Sequence, residues 1–294
     1  MVRASAWVIA AGVIAGGVAL AVSSADDGGV PAAPGPPPLE AAVAAGRSWA
    51  LTTAAGPVHV WVPAGYHPDG AAIVVYVHGY GDDVDGAWTQ HRLPEQFARS
   101  AANAVFIAAE APQSSRQAVR WPALEDLLAA VFAAVDVARP TGEVIAIGHS
   151  GAYRTLLAWT SYPSLDWIIA LDATYGELDA WRAWMAAAPA HHLIFVGDDT
   201  LRWTEELVRD LEADLPGQVV TVERLDDLAD ELGPVTAGAR AIYLRHQAGH
   251  MPLVTDGRAI PALVRLAPVE LLADGPWRQP PGLPPRAIDA GAAP

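Results

Sequence analysis

Ser150 lies in Gly148-His149-Ser150-Gly151-Ala152, between the apolar run Val144-Ile145-Ala146-Ile147 and a segment with helical character. A serine on a sharp strand-to-helix turn is thrust out of the backbone, which requires small neighbours. Gly148, Gly151 and Ala152 meet that requirement. The start of the helix adds positive potential where an anion would form beside the serine. This arrangement suits nucleophilic attack by a hydroxyl, and such attack needs a base to remove the proton. An ordinary serine in a tight turn would share the small neighbours, but not the buried strand before it and the helix after it.

Other chemistries find weaker support. Asp83 and Asp85 before Gly86 resemble part of a calcium loop, but its first and twelfth positions would be Gly81 and Arg92, neither of them suitable for Ca²⁺. The nine histidines form no H-E-x-x-H pattern, and the adjacent His191 and His192 would point to opposite faces of a strand. With no cysteine, thiol nucleophiles and Cys-bound zinc are excluded. The expectation is no metal and no cofactor.

Short apolar runs that would hold these residues fall at 58–62, 72–77, 104–108, 144–147, 167–171, 192–196 and 241–245, with a weaker one at 218–222. They are rich in Val, Ile and Leu without strict alternation, as strands covered on both faces are. Helical segments at 123–138, 151–160, 178–187 and 201–215 separate them; in the first, Leu124, Leu127, Leu128 and Val131 recur at helical spacing. Alternation of this kind predicts an α/β fold with a mostly parallel central sheet and helices on both faces.

The strand–turn–helix around Ser150 and the order of these elements resemble the α/β-hydrolase superfamily over about residues 58–266. The resemblance implies a nucleophile, an acid and a histidine in that chain order. His250, in Gly249-His250-Met251-Pro252 after the last strand, stands where the family carries its base, while His246 reads as structural. The acid could follow either of two strands: Asp172 ends the run 168–171, and Asp198 and Asp199 follow the next. Asp172 is preferred because it stands alone at a strand end. Asp199 is the alternative, since the 198–199 pair could instead begin a helix by accepting its free N–H groups. In the oxyanion hole the resemblance implies the N–H of Gly151 and that of Tyr80, in His78-Gly79-Tyr80-Gly81; His78 and His149 then read as structural. The implied activity is ester hydrolysis through an acyl-enzyme, on a small-molecule or polymeric ester. The alternatives are an amidase or peptidase with the same residues, or a non-catalytic binding protein on this scaffold. Of the 11 tryptophans, Trp88 and Trp121 are expected on loops over the site, with Trp181, Trp184 and Trp203 beside its later part, and apolar packing is the expected use of most of them. About twenty residues between Asp172 and the next strand are too few for a lid domain, so a shallow site is expected.

The whole chain sets the context. It has 294 residues and a formal net charge of −15, and all 18 basic residues are Arg, so nucleic acid and anionic lipid are unfavourable partners. Arg3, the uncharged run 4–22 and the small residues Ser23 and Ala25 form a secretory signal pattern with cleavage after Ala25. The rival reading is a membrane tether through residues 4–22, which are only weakly hydrophobic. The expected organisation is a signal peptide or anchor at 1–25, a Pro/Gly-rich linker at 26–38, an α/β-hydrolase domain at 39–274 and a Pro/Ala-rich tail at 275–294, in an exported protein.

Overall fold

The computed structural model describes residues 38–225, 238–245 and 249–272. The signal, linker and tail segments, apart from Pro38, lie outside these residues, as does His246. The elements are α1 (Leu39–Ala45), β1 (Arg47–Thr53), β2 (Gly56–Val62), β3 (Ala72–Val77), α2 (Val84–Gln90), α3 (Leu93–Ser100), β4 (Ala104–Ala109), α4 (Leu124–Ala134), β5 (Val144–His149), a 3₁₀ turn at Ser150–Ala152, α5 (Tyr153–Trp159), β6 (Leu165–Leu171), α6 (Leu178–Ala187), β7 (His192–Gly197), α7 (Leu201–Asp214), β8 (Val219–Val222), β9 (Ala241–Arg245), α8 (Pro252–Thr255) and α9 (Ala259–Val264).

The nine strands form one sheet in the order β1-β2-β4-β3-β5-β6-β7-β9-β8. β1, β2 and β4 pair antiparallel, and every other pairing is parallel. Each expected run is a strand, and the weak 218–222 run is β8 at one edge. β1 is additional. Its sequence, RSWALTT, alternates between exposed and half-buried positions, the mark of an edge strand wetted on one face, and so lacks the apolar continuity of the others. A short turn joins it to β2, with the Thr53 hydroxyl donating to the Gly56 carbonyl (2.6 Å) and accepting from the Ala55 N–H (3.1 Å). The predicted helix at 123–138 is shorter, ending at Ala134.

Both faces of the central strands are dry. Ile73, Val75 and Val77 face Leu124, Leu127 and Leu128 of α4 within one cluster, which also takes Leu156 of α5, Trp181 of α6 and Leu207 of α7. Val74 and Tyr76 face the other way, into a cluster with Phe97 of α3 and Ile260 and Leu263 of α9. Full burial of each such side chain is worth about 1.5–3 kcal/mol. After β3 the chain goes to β4 on one side and, through α4, to β5 on the other. In open α/β sheets ligands bind at the carboxyl ends of strands where the order reverses in this way. His78, Ser150, Asp172 and Asp198 all lie at the carboxyl ends of parallel strands, and His250 follows β9.

Candidate active site

Ser150 follows β5 directly and has φ 53, the left-handed region that non-glycine residues avoid. Such strain persists only where the surroundings over-determine it. Here the surroundings are tight. A Cβ at Gly148 would lie 2.6 Å from a Leu156 methyl, and one at Gly151 would lie 2.4 Å from the Tyr80 ring. A Cβ at Gly79 would lie 2.8 Å from that of Ser150. The His78-Gly79-Tyr80 loop and the Ser150 turn are therefore in direct contact, and glycines permit it. Tyr80 and Gly151, expected together from the sequence, are brought together. His78 does serve as a structural residue. Its Nε2 accepts the Ala111 N–H (3.0 Å), its Nδ1 donates to the Gly79 carbonyl (2.8 Å), and Glu110 approaches at 3.7 Å.

The candidate acid carries the densest hydrogen bonding in the site. Asp172, fully buried and with φ 47, follows β6. One carboxylate oxygen accepts the N–H groups of Asp198 (2.9 Å) and Thr200 (2.9 Å) and the Thr200 hydroxyl (2.6 Å). The other accepts the Asp199 N–H (3.0 Å) and meets His250 Nδ1 at 2.5 Å. Burial alone would raise its pKa, but the hydrogen bonds from His250, Thr200 and the backbone outweigh burial and hold it well below the usual carboxylate range. These donors are the free N–H groups leading into α7. The sequence reading let Asp198 and Asp199 cap that helix; instead their own N–H groups bond Asp172, a carboxylate from the neighbouring strand. Asp199 is exposed and stands 3.8 Å from His250 Nδ1.

His250 is oriented twice. Its Nδ1 bonds Asp172, and its carbonyl accepts from His149 Nε2 at 3.1 Å. The two imidazoles lie 4.4 Å apart at 39°. The Asp172 hydrogen bond raises the pKa of His250; burial works against it, and the charges of Asp172, Asp199 and Asp198 add to it. His149 is the opposite case. Burial first, then the nearby His250 and His91, lower its pKa to about 3, so it stays a neutral donor. It was expected to be structural, and this bond is the form its role takes. Among the described residues the ring of Tyr175, on the loop after Asp172, packs against that of Tyr153 at 5.8 Å. No hydrogen bond joins Ser150 to His250 there.

The tryptophans divide unevenly. Trp121 does not overhang the site but is buried, its carbonyl accepting the Trp159 indole N–H at 2.7 Å. Trp181 and Trp184 are core. Trp88, in α2, stacks on His59 at 4.7 Å. The core placement of Trp121, Trp181 and Trp184 is the apolar packing expected of most of them, while Trp203 packs on Tyr175, on the loop after Asp172. The rejected calcium-like acids have local roles: Asp83 caps α2 through the Gly86 N–H (2.7 Å), and Asp85 meets His59 Nε2 at 2.6 Å. Asp172, Asp199 and His250 have ligand atoms close enough to share a metal ion. For Asp172, however, hydrogen bonds already occupy both oxygens.

No protein-family model matches this chain, and no curated protein is detectably similar to it. Among solved structures it is similar to a serine-to-alanine mutant of the feruloyl esterase module from Clostridium thermocellum complexed with sinapinate (12% identity, 74% of this chain, 87% of that one, TM-score 0.52). Weaker likenesses include S-formylglutathione hydrolase from Staphylococcus aureus (10% identity, 75% and 96% coverage, TM-score 0.47) and dienelactone hydrolase from Anabaena variabilis (14%, 76% and 95%, TM-score 0.45). With the strand order above, the first likeness identifies the fold as that of the α/β-hydrolases.

Proposed function

We propose that this protein is a serine hydrolase acting on carboxylic esters, with Ser150 as nucleophile, His250 as general base and Asp172 as the acid that orients it. The observation that carries the reading is the strained φ of Ser150 on a strand-to-helix turn, on the same sheet edge as the Asp172–His250 pair. Because Nδ1 of His250 donates to a carboxylate, its proton belongs there, leaving Nε2 free to accept one. The Ser150 hydroxyl loses its proton to Nε2 and attacks the ester carbonyl carbon. The carbonyl π pair moves to oxygen, where the N–H groups of Tyr80 and Gly151 stabilise it. The pair returns as the alcohol leaves with the proton from Nε2. Water, deprotonated by Nε2, then attacks the acyl-enzyme, and Ser150 leaves and regains its proton. Asp172 keeps its charge throughout and balances the imidazolium.

An ester is favoured over an amide because an alkoxide leaves without strong prior protonation. We also propose an exported enzyme, from Arg3, the apolar run 4–22 and the small residues before Asp26. The test of the catalytic reading is a fluorophosphonate probe, which bonds only activated serines. The wild-type protein should be labelled at Ser150, and Ser150→Ala should lose labelling with an unchanged circular dichroism spectrum. Equal labelling of Ser150→Ala would overturn the assignment.

A further inference from the structure

Arg154 is a cation at a helix end that favours anions. It lies in the first turn of α5, four residues after Ser150, in a turn with no acidic residue. A helix N-terminus favours negative charge, so a guanidinium there owes its place to contacts outside the helix. Three oxygens supply them. Nη1 of the half-buried Arg154 donates to the backbone carbonyls of Gln117 (2.9 Å) and Ser115 (3.1 Å), and more distantly to the Tyr80 hydroxyl (3.4 Å).

Ser115 and Gln117 belong to the segment after β4, and that segment also holds the loop of Tyr80. The Ala111 N–H donates to His78 Nε2 (3.0 Å), and the Gly81 N–H donates to the Gln113 carbonyl (2.9 Å). Within the segment, the Gln113 N–H donates to the Gln117 side-chain oxygen (2.8 Å) and the Gln117 N–H to the Ser114 carbonyl (3.2 Å). Segment 111–117 is thus braced against itself and against both ends of the His78–Gly81 loop. Among the described residues, the hydrogen bonds that join this segment to α5 come from Arg154.

Two contacts across this circuit act in opposite directions. The Tyr80 ring, which a Cβ at Gly151 would meet at 2.4 Å, stops the Tyr80 loop and the Ser150 turn from coming closer. Steric contact sets only that lower limit. The hydrogen bonds of Arg154 resist separation and set the upper one. The N–H groups of Tyr80 and Gly151 lie on these two segments, and they serve as an oxyanion hole only if both stand at hydrogen-bond distance from one developing charge. A misplacement of about 1 Å can cost on the order of 10²-fold in rate.

Accepting the serine-hydrolase reading above, we propose that Arg154 is a positioning residue for the oxyanion hole: its guanidinium ties the helix of the nucleophile to the segment that holds the Tyr80 loop, and so fixes the spacing of the two N–H donors. Its action runs through these backbone groups, not through contact with the reacting atoms.

The experiment compares wild type, Ser150→Ala, Arg154→Met and Arg154→Lys. Hydrolysis of 4-nitrophenyl acetate and fluorophosphonate labelling are measured, together with inhibition by a trifluoromethyl ketone, whose adduct with Ser150 places an oxyanion in the same hole. Arg154→Met keeps an unbranched stem without a donor. Its kcat should fall by about tenfold or more, with KM near wild type and Tm within a few degrees of it. The inhibition constant should rise by the factor by which kcat/KM falls, as it does for a transition-state analogue. Wild-type kcat or an unchanged inhibition constant overturns the proposal, since a purely structural tie would move Tm alone. Arg154→Lys keeps the charge but replaces the planar fork with a compact ammonium, and should also lose activity. If it matches wild type, charge rather than spacing is what counts, and the proposal falls. Should Arg154→Met fold poorly, Arg154→Lys decides on the same readouts. Wild-type kcat in both Arg154 variants, with labelling still confined to Ser150, removes the role of Arg154 and leaves the serine reading intact. Labelling of Ser150→Ala would overturn the serine reading itself and this proposal with it.

Discussion

Asp172 and Asp199 are both acids beside His250, and their surroundings assign them different work. Asp172 is buried, accepts four hydrogen bonds from Asp198, Asp199 and Thr200, and meets Nδ1 at 2.5 Å. Asp199 is exposed and 3.8 Å away, so water screens much of its charge. Asp172→Asn should reduce kcat by about 10⁴-fold, the loss seen when the triad acid of serine proteases becomes an amide that favours the wrong tautomer. Asp199→Asn should stay within about tenfold of wild type. Ester assays on the two purified variants decide, and the reverse result would move the acid to Asp199. The same residues set the pH profile. A base acts only when neutral, and the Asp172 hydrogen bond raises the pKa of His250. The acidic limb of kcat/KM should therefore lie above 6.5, with activity lost as the pH falls through it. Asp199→Asn should move that limb to lower pH, because it removes one negative charge that favours the imidazolium; a limb that moved up would contradict this electrostatic account.

At the scale of elements, the site depends on how closely β3, β5 and the helices after them approach. The chain passes from β5 into α5 through a 3₁₀ turn, and Gly148 before it and Gly151 within it lie against other side chains rather than in open space. Gly151→Ala would drive a methyl into the Tyr80 ring, 2.4 Å away, and so displace the loop that carries a proposed oxyanion donor. The expected outcome is a drop in kcat of about 10²-fold or more, with a Tm lower by a few degrees. The control is Gly81→Ala, which has a positive φ of 83 but no atom within 4 Å of the added carbon. It should lower Tm through backbone strain while leaving kcat largely unchanged. Equal kinetic loss in both variants would mean that the close approach of Tyr80 to Gly151 does not matter to the reaction.

For the whole molecule, the proposal of export makes its own claim. The 4–22 run lies outside the described residues, and no described helix is long and apolar enough to cross a membrane. Expressed with its leader in an exporting bacterial host, the mature protein should begin at Asp26, as read by N-terminal sequencing of the soluble exported fraction. A full-length chain recovered with membranes after a salt wash would favour the tether instead.

The sequence by itself determined the strands, because a segment buried on both faces must be apolar throughout, and it determined the turn of the proposed nucleophile, because that turn needs small residues at Gly148, Gly151 and Ala152. β1 escaped that reading: an edge strand wetted on one face alternates, and RSWALTT carries too little apolar length to stand out. Trp121 escaped too, since a tryptophan in a loop segment reads the same in sequence whether it overhangs a site or is buried against α5. Only the tertiary structure sets Asp172 apart from Asp199, because the N–H groups of residues 198–200 reach the Asp172 carboxylate, 26–28 positions earlier in the chain. It alone brought the His149 imidazole to the His250 carbonyl. Those pairings join loops that follow different strands, and neighbourhood along a sheet edge comes from strand order, which local residue patterns do not encode.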